Sequence, residues 1–256
     1  MRISLLQYPI VWADKQANLL LAEERIAVLQ GKTDMVVLPE MFTTGFCTDR
    51  PELAEESDGK TMQMVKSWAV RFQLAVCGSF IATENGKFYN RAFFVFPDGR
   101  TEFADKRHLF SMGGEDKFFS AGDKTLLVNY SGFNIRLLVC YDVRFPVWAR
   151  NVGNQYDLLI YVANFPARRI TDWDILLRAR AIENQAFVCG LNITGKDANG
   201  IEYNGHSVLL DYKANELITF AENETGTKSF ELNAEGLYSY RQKFPVWNDA
   251  DKFELL

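Results

Sequence analysis

Histidine is scarce in this chain: 256 residues hold only 2, His108 and His206, so chemistry that needs clustered imidazoles has little to work with. Cysteine is nearly as sparse. Cys47, Cys77, Cys140 and Cys189 are widely separated and form no Cys-x-x-Cys pair. A chain of this length does not depend on disulfide staples, so free thiols are expected and a zinc site is not. No apolar run reaches the about 18 residues of a membrane-spanning helix. The opening "MRISLLQYPIVWAD" is broken by Gln7 and Pro9 and lacks a small-residue cleavage site, so it does not read as a signal peptide. Positive charge is not in surplus either, with 28 Lys and Arg against 33 Asp and Glu and a formal net charge of −5. That balance argues against a nucleic-acid partner. Neither a Gly-x-Gly-x-x-Gly fingerprint nor a phosphate-loop lysine occurs, which leaves nucleotide binding without support. The expectation is a cytoplasmic protein with no nucleic-acid or membrane partner.

What is present is a core: 48% of the residues are hydrophobic and 24% charged, the balance of an ordinary globular chain. Helical and strand patterns alternate. Asp14 is placed to cap a helix with apolar positions Leu19, Leu20, Ile26 and Leu29, and Gly31 lies past its end. The strand "MVVLPE" follows, then a helix near residues 61–72 and the strand "LAVCGSFIA". "ENG" and "PDG" flank the strand "FYNRAFFVF" and signal tight reversals. "TLLVNYSGFNIRLLVC" reads as two strands joined at Ser131 and Gly132. "PVWARNVG" reads as a helix, "YDLLIYVANFP" as a strand, "WDILLRARAIENQ" as a helix and "AFVCGLNI" as a strand. Short strands near "SVLLD" and "ELITFAE" precede an aromatic, charged tail. The pattern predicts a single α/β domain over 1–256, a layered sandwich with mixed sheets buried on both faces.

Active sites of α/β folds gather at the carboxyl ends of strands, so polar residues there carry information. Three stand out: Glu40 after "MVVLP", Lys106 after "TEFAD" and Cys140 after "IRLLV". Each has an ordinary reading, as a solvated carboxylate, half of a surface pair with Asp105 or Asp116, and a core thiol. Together they supply a base, a cation and a nucleophile. A carboxylate partly desolvated by Val36, Val37, Leu38 and Phe42 suits proton transfer. A lysine beside the sulfur would favour thiolate and stabilise a developing oxyanion. The histidines are expected to be structural.

The stretches "LPEMFTTGF", "DKRHLF", "EDKFFSAGD", "LLVCYDVRFPVWAR", "YVANFPARRITDW" and "RARAIENQAFV", in this order, resemble the carbon-nitrogen hydrolase (nitrilase) superfamily along nearly the whole chain. Within it the chain looks most like the bacterial omega-amidases, which the tail "YRQKFPVWNDADKFEL" also resembles. The resemblance implies a Glu-Lys-Cys triad at Glu40, Lys106 and Cys140, and a second glutamate at Glu115. It implies a four-layer α-β-β-α sandwich, a homodimer or higher homo-oligomer, and a tail at about 238–256 packing at the dimer interface. True nitrilases typically carry Cys-Trp-Glu at the nucleophile, whereas Cys140-Tyr141-Asp142 is similar to amidases.

The implied reaction is hydrolysis of the terminal amide of a short 2-oxo dicarboxylate, such as 2-oxoglutaramate or 2-oxosuccinamate, through a cysteine thioester and without a cofactor. Lys106 and the backbone N–H of Tyr141 would hold the oxyanion. An anionic substrate needs a cation, and Arg144, Arg168 and Arg169 are the candidates because they follow the nucleophile strand and the next one. Two alternatives stand beside this one: a carbamoyl or general aliphatic amide hydrolase with the same triad, and a non-catalytic binding protein on the same fold.

Overall fold

A computed structural model of the protein describes residues 1–255; Leu256, the last residue of the expected tail, lies outside the described residues. The first half of the chain runs β1 (Arg2–Gln7), α1 (Lys15–Ala27), β2 (Met35–Val37), α2 (Lys60–Phe72), β3 (Ala75–Glu84), β4 (Lys87–Val95) and β5 (Thr101–Asp105). The second half runs β6 (Leu126–Tyr130), β7 (Phe133–Val139), α3 (Pro146–Ala149), β8 (Leu158–Val162), α4 (Ile170–Asn184) and β9 (Phe187–Leu191). It closes with β10 (Thr194–Lys196), β11 (Glu202–Asn204), β12 (Val208–Leu210), β13 (Glu216–Thr219), β14 (Gly226–Glu231) and α5 (Glu235–Lys243).

Two six-stranded mixed sheets result, in the orders β14-β1-β2-β3-β4-β5 and β13-β12-β9-β8-β7-β6, with β10 and β11 a separate hairpin. Strand alternation explains the layering. Ile3, Leu5, Met35, Val37, Ala75 and Cys77 point inward to a shared core with Ile135, Leu137, Ile160 and Cys189 of the second sheet. Leu6, Val36, Leu38 and Val76 point the other way, onto Leu19, Ala22 and Ile26 of α1 and Val65, Trp68 and Ala69 of α2. Trp173, Leu177 and Ala181 of α4 cover the outer face of the second sheet. The architecture is the expected α-β-β-α sandwich.

Local chemistry agrees with these boundaries. Asp14 accepts from the Ala17 backbone N–H at 3.0 Å and caps α1. Asn85 and Gly86 (φ 51° and 72°) join β3 to β4, and Ser131 and Gly132 (φ 49° and 79°) join β6 to β7, both as two-residue left-handed reversals that match strand twist. The helix expected at "PVWARNVG" is shorter: α3 ends at Ala149, and the chain then turns so that Asn151 can bond Asn184 and the Tyr156 carbonyl. The first turns of the tail form α5, whose buried Leu237 and Arg241 dock on their own chain; Arg241 Nη1 donates to Asp157 at 2.8 Å.

Close backbone approach positions the end of β5. Gly122 donates its N–H to the Lys106 carbonyl at 2.9 Å, and a Cβ there would lie 2.2 Å from the Asp105 carbonyl oxygen. Neither backbone can yield cheaply. Gly122→Ala is expected to lower stability by about 1–3 kcal/mol and to displace Lys106, seen as a lower thermal midpoint together with weakened activity.

Candidate active site

Glu40, Lys106 and Cys140 leave the carboxyl ends of β2, β5 and β7, and the fold brings these ends together. Glu115 arrives on the loop after β5, where it accepts from the Phe110 backbone N–H at 2.6 Å. Lys106 is no surface pair. Its Nζ lies 3.0 Å from Glu40 Oε1 and 2.9 Å from Glu115 Oε2, and all three side chains are fully buried. Asp105 pairs instead with Arg91, at 2.7 Å.

Burial alone would favour neutral lysine, but the facing Glu115 and Glu40 carboxylates outweigh it and hold Lys106 above its ordinary value. Glu115 is displaced upward, chiefly by burial, with Lys106 opposing and Glu40 adding to the rise. A second polar group spans the carboxylates. Asn90 Nδ2 donates to Glu40 Oε1 at 2.8 Å and to Glu115 Oε1 at 3.2 Å. Its orientation is set by Ser79, whose hydroxyl accepts from Met41 N–H at 2.9 Å and donates to Asn90 Oδ1 at 2.8 Å.

Cys140 ends its strand in a left-handed conformation, φ 44°, so the chain turns sharply into a short 3₁₀ turn over Cys140–Arg144. Asp142 holds the turn: one oxygen accepts from Val139 N–H at 3.0 Å, the other from His108 N–H at 3.1 Å, and His108 Nδ1 lies 2.8 Å from that second oxygen. His108 also stacks on Phe145 at 3.7 Å, the structural role expected of it. The Cys140 thiol is pushed well above the usual thiol range by burial and then by the Glu40 charge, against which Lys106 pulls the other way. Lys106 thus acts on the thiol in the expected direction, towards thiolate, but burial and the Glu40 charge together outweigh it.

Above the sulfur opens a cavity of about 170 Å³, bordered by Lys106, Cys140, Tyr141, Asn164, Tyr203 and all three expected arginines. The arginines differ. Arg144 Nη2 is paired with Asp172 at 2.6 Å, and Arg168 is exposed. Arg169 is half-buried over the Phe110 ring at 4.9 Å and makes no ion pair among the described residues. Burial, then repulsion by Arg168 and Arg144, pulls it below the ordinary arginine value. No cluster of three or more His, Cys, Asp and Glu side chains suited to a metal ion occurs among the described residues.

Asn90, Ser79, Asn164 and Tyr203 escaped the sequence reading. Asn164 stands at the end of β8, the placement that singled out Glu40 and Cys140, but asparagine there is also a common turn residue. Its backbone N–H donates to Glu40 Oε2 at 2.8 Å. Asn90 lies inside an apolar strand, where a buried amide signals a partner.

A family model described as carbon-nitrogen hydrolase matches residues 2–242. Omega-amidase YafV of Yersinia enterocolitica is 43% identical over 256 residues, covering 100% of this chain and 99% of the relative. The 2-oxoglutaramate amidase of Bacillus subtilis is 32% identical and covers 98% of this chain and 97% of its own. Among solved structures, XC1258 from Xanthomonas campestris, a CN-hydrolase superfamily protein with an arsenic adduct in its active site, superposes with a TM-score of 0.97 at 36% identity, covering 100% of this chain and 99% of that one. With its architecture, the strand-end cluster and these full-length matches, the chain belongs to the carbon-nitrogen hydrolase family of enzymes.

Proposed function

We propose that the protein is an omega-amidase that hydrolyses the terminal amide of a short 2-oxo dicarboxylic acid monoamide, such as 2-oxoglutaramate or 2-oxosuccinamate, to the acid and ammonia through a thioester on Cys140. The observation that carries this reading is one cavity whose lining includes the Cys140 thiol, Lys106 of the buried carboxylate cluster and a half-buried arginine with no ion pair among the described residues. The omega-amidase and 2-oxoglutaramate amidase relatives support the substrate class.

In the proposed first step the Cys140 sulfur attacks the amide carbonyl while its proton passes to Glu40, and Lys106 with the Tyr141 N–H receives the oxyanion. The electrostatics favour this order. Glu40 loses its negative charge as the carbonyl oxygen gains one, so Lys106 exchanges one anionic partner for another and the local charge is conserved. Protonated Glu40 then delivers the proton to the departing nitrogen, and ammonia leaves. Water, deprotonated by Glu40, attacks the thioester carbonyl; the C–S bond breaks, and Glu40 returns the proton to the Cys140 sulfur. Glu115 remains the fixed partner that keeps Lys106 in place throughout.

A thiol that ionises only with substrate present has a spectroscopic signature. Parent minus Cys140→Ala is expected to show no ultraviolet thiolate band in the free protein below about pH 9, since the folded thiol is displaced upward from the ordinary value of 9.0. The Cys140→Ala protein is expected to release no ammonia. A thiolate band at neutral pH would contradict the resting state described above.

The distal carboxylate is assigned to Arg169, because Arg144 already has Asp172 and Arg168 faces solvent. Ammonia release from 2-oxosuccinamate is expected to exceed that from a neutral amide of equal length by at least about tenfold in kcat/KM, and Arg169→Met should narrow that gap while Arg168→Met leaves it. Equal rates on both substrates in the parent would leave only the general amidase reading.

The proposal extends to a homodimer. Val147, Ile182, Trp247 and Phe253 are exposed apolar side chains, and Val147 and Phe253 border one surface groove beside Glu183. Light scattering is expected to give twice 29.3 kDa for the parent and a smaller mass for Ile182→Glu. A monomeric parent at all concentrations would remove the dimer from the proposal.

A further inference from the structure

Phe110 is a half-buried phenylalanine on the loop after β5, and it joins none of the three apolar cores among the described residues. It borders the cavity over Cys140 instead, beside Phe46, Tyr141 and Arg169. Tyr141 packs against its ring edge to face at 5.1 Å and Phe46 lies at 6.4 Å, while the Arg169 guanidinium carbon lies over the ring at 4.9 Å. Arg169 ends the short turn that follows β8, so the guanidinium and the ring arrive from different sheets.

The backbone of Phe110 is fixed without help from the ring. Its N–H donates to Glu115 Oε2 at 2.6 Å, and its carbonyl accepts from the N–H groups of Gly113 at 2.9 Å and Glu115 at 3.3 Å. The ring is set by close packing, since a Cβ on Gly113 would fall 2.6 Å from Phe110 Cδ1. Two neighbouring arginines show what the ring does. Arg144 is held by Asp172, which occupies its Nη2 and offsets its charge. An aromatic face attracts a guanidinium through the negative side of its quadrupole and occupies none of its N–H donors. Arg169 has no ion pair among the described residues, and burial and then the Arg168 and Arg144 charges oppose its own. The ring holds it and leaves its donors available. Those donors lie in the guanidinium plane, where a carboxylate pairs bidentately.

We propose that the Phe110 ring sets the preference of the site for an anionic substrate, holding the Arg169 guanidinium by its face so that its N–H edge pairs with the substrate carboxylate. This role rests on the assignment of the distal carboxylate to Arg169, and it names the residue that makes that arginine a receptor. Phe110 acts through Arg169 and is a positioning residue. Its effect falls on the binding of a charged substrate, and so on KM more than on kcat. Leucine fills much of the same space but has no quadrupole, so exchanging the two separates a held charge from a filled volume.

The test compares ammonia release from 2-oxosuccinamate and from its methyl ester, which carries the same amide without the charge. Phe110→Leu is expected to raise KM for the charged amide about tenfold more than for the ester, narrowing the charge preference in kcat/KM by the same factor. Phe110→Tyr keeps an aromatic face and is expected to keep the preference. Gly113→Ala leaves Phe110 in the chain but drives its ring aside; it is expected to narrow the preference part of the way, and it carries the test if Phe110→Leu folds poorly. A ring that only fills space would weaken both substrates alike, and that result, or an unchanged preference, would overturn the proposal. Titrating 2-oxoglutarate into the Cys140→Ala protein reads the same contact without turnover. Adding Phe110→Leu is expected to weaken that binding about tenfold, and equal affinity would refute the role of the ring. A preference closed by Arg169→Met but untouched by Phe110→Leu and Gly113→Ala refutes Phe110 alone, whereas a parent with no charge preference removes the Arg169 assignment and the role of Phe110 together.

Discussion

A lysine ammonium with no exposure to water, flanked by two carboxylates equally buried, is the interaction on which the rest of this structure turns. Removing one member of such a set leaves an uncompensated charge in a dry interior, at a cost of about 3–5 kcal/mol. The cluster is also where the chain converges. Glu40 ends β2, Asn90 lies in β4, Lys106 ends β5, and Asn164 reaches Glu40 from the other sheet. The two sheets are thus joined by polar bonds at their reactive end, while their facing surfaces are joined by apolar packing. The geometry of the candidate site and the alignment of the sheets depend on the same few hydrogen bonds.

The strand ends that carry Glu40 and Cys140 use the same device. Met41, directly after Glu40, and Cys140 itself are left-handed at φ 44°, a conformation costing a non-glycine residue about 1–2 kcal/mol. In each case a side-chain oxygen from a buried residue latches the neighbouring backbone: Ser79 takes Met41 N–H, and Asp142 takes Val139 N–H. The strained turns lift Glu40 and Cys140 out of their strands toward each other, and the latches keep them there.

Much of this was readable from the amino acids. Short continuous apolar runs ending in Glu40 and Cys140 pointed to the site because strand ends are where side chains escape the core, and "ENG" and Ser131-Gly132 marked reversals that glycine permits. Glu115 depended on family resemblance, since a carboxylate in "GGEDK" gives no local sign of being buried. Asn90 and Asn164 stayed hidden for a related reason: an amide looks the same in sequence whether it caps a turn or braces a carboxylate, and only the partner distinguishes them. The direction of the Lys106 effect on the sulfur was legible, but not that burial and the Glu40 charge together outweigh it, since neither magnitude can be seen in spacing. The sequence could place three arginines near the site but could not tell that Asp172 neutralises one of them.

That neutralisation bears on how a substrate arrives. The whole molecule carries a formal charge of −5 and repels anions at long range, yet Arg168 and Arg169 border a low-dielectric cleft where field lines concentrate. An incoming anion meets a weak barrier over most of the surface and a local attraction at the mouth of this cleft. Because counter-ions screen the distant repulsion over about one Debye length but reach the recessed arginine poorly, salt softens the barrier more than it weakens the attraction. The mouth of the site thereby acts as a funnel whose contrast with the surrounding surface persists as ionic strength rises.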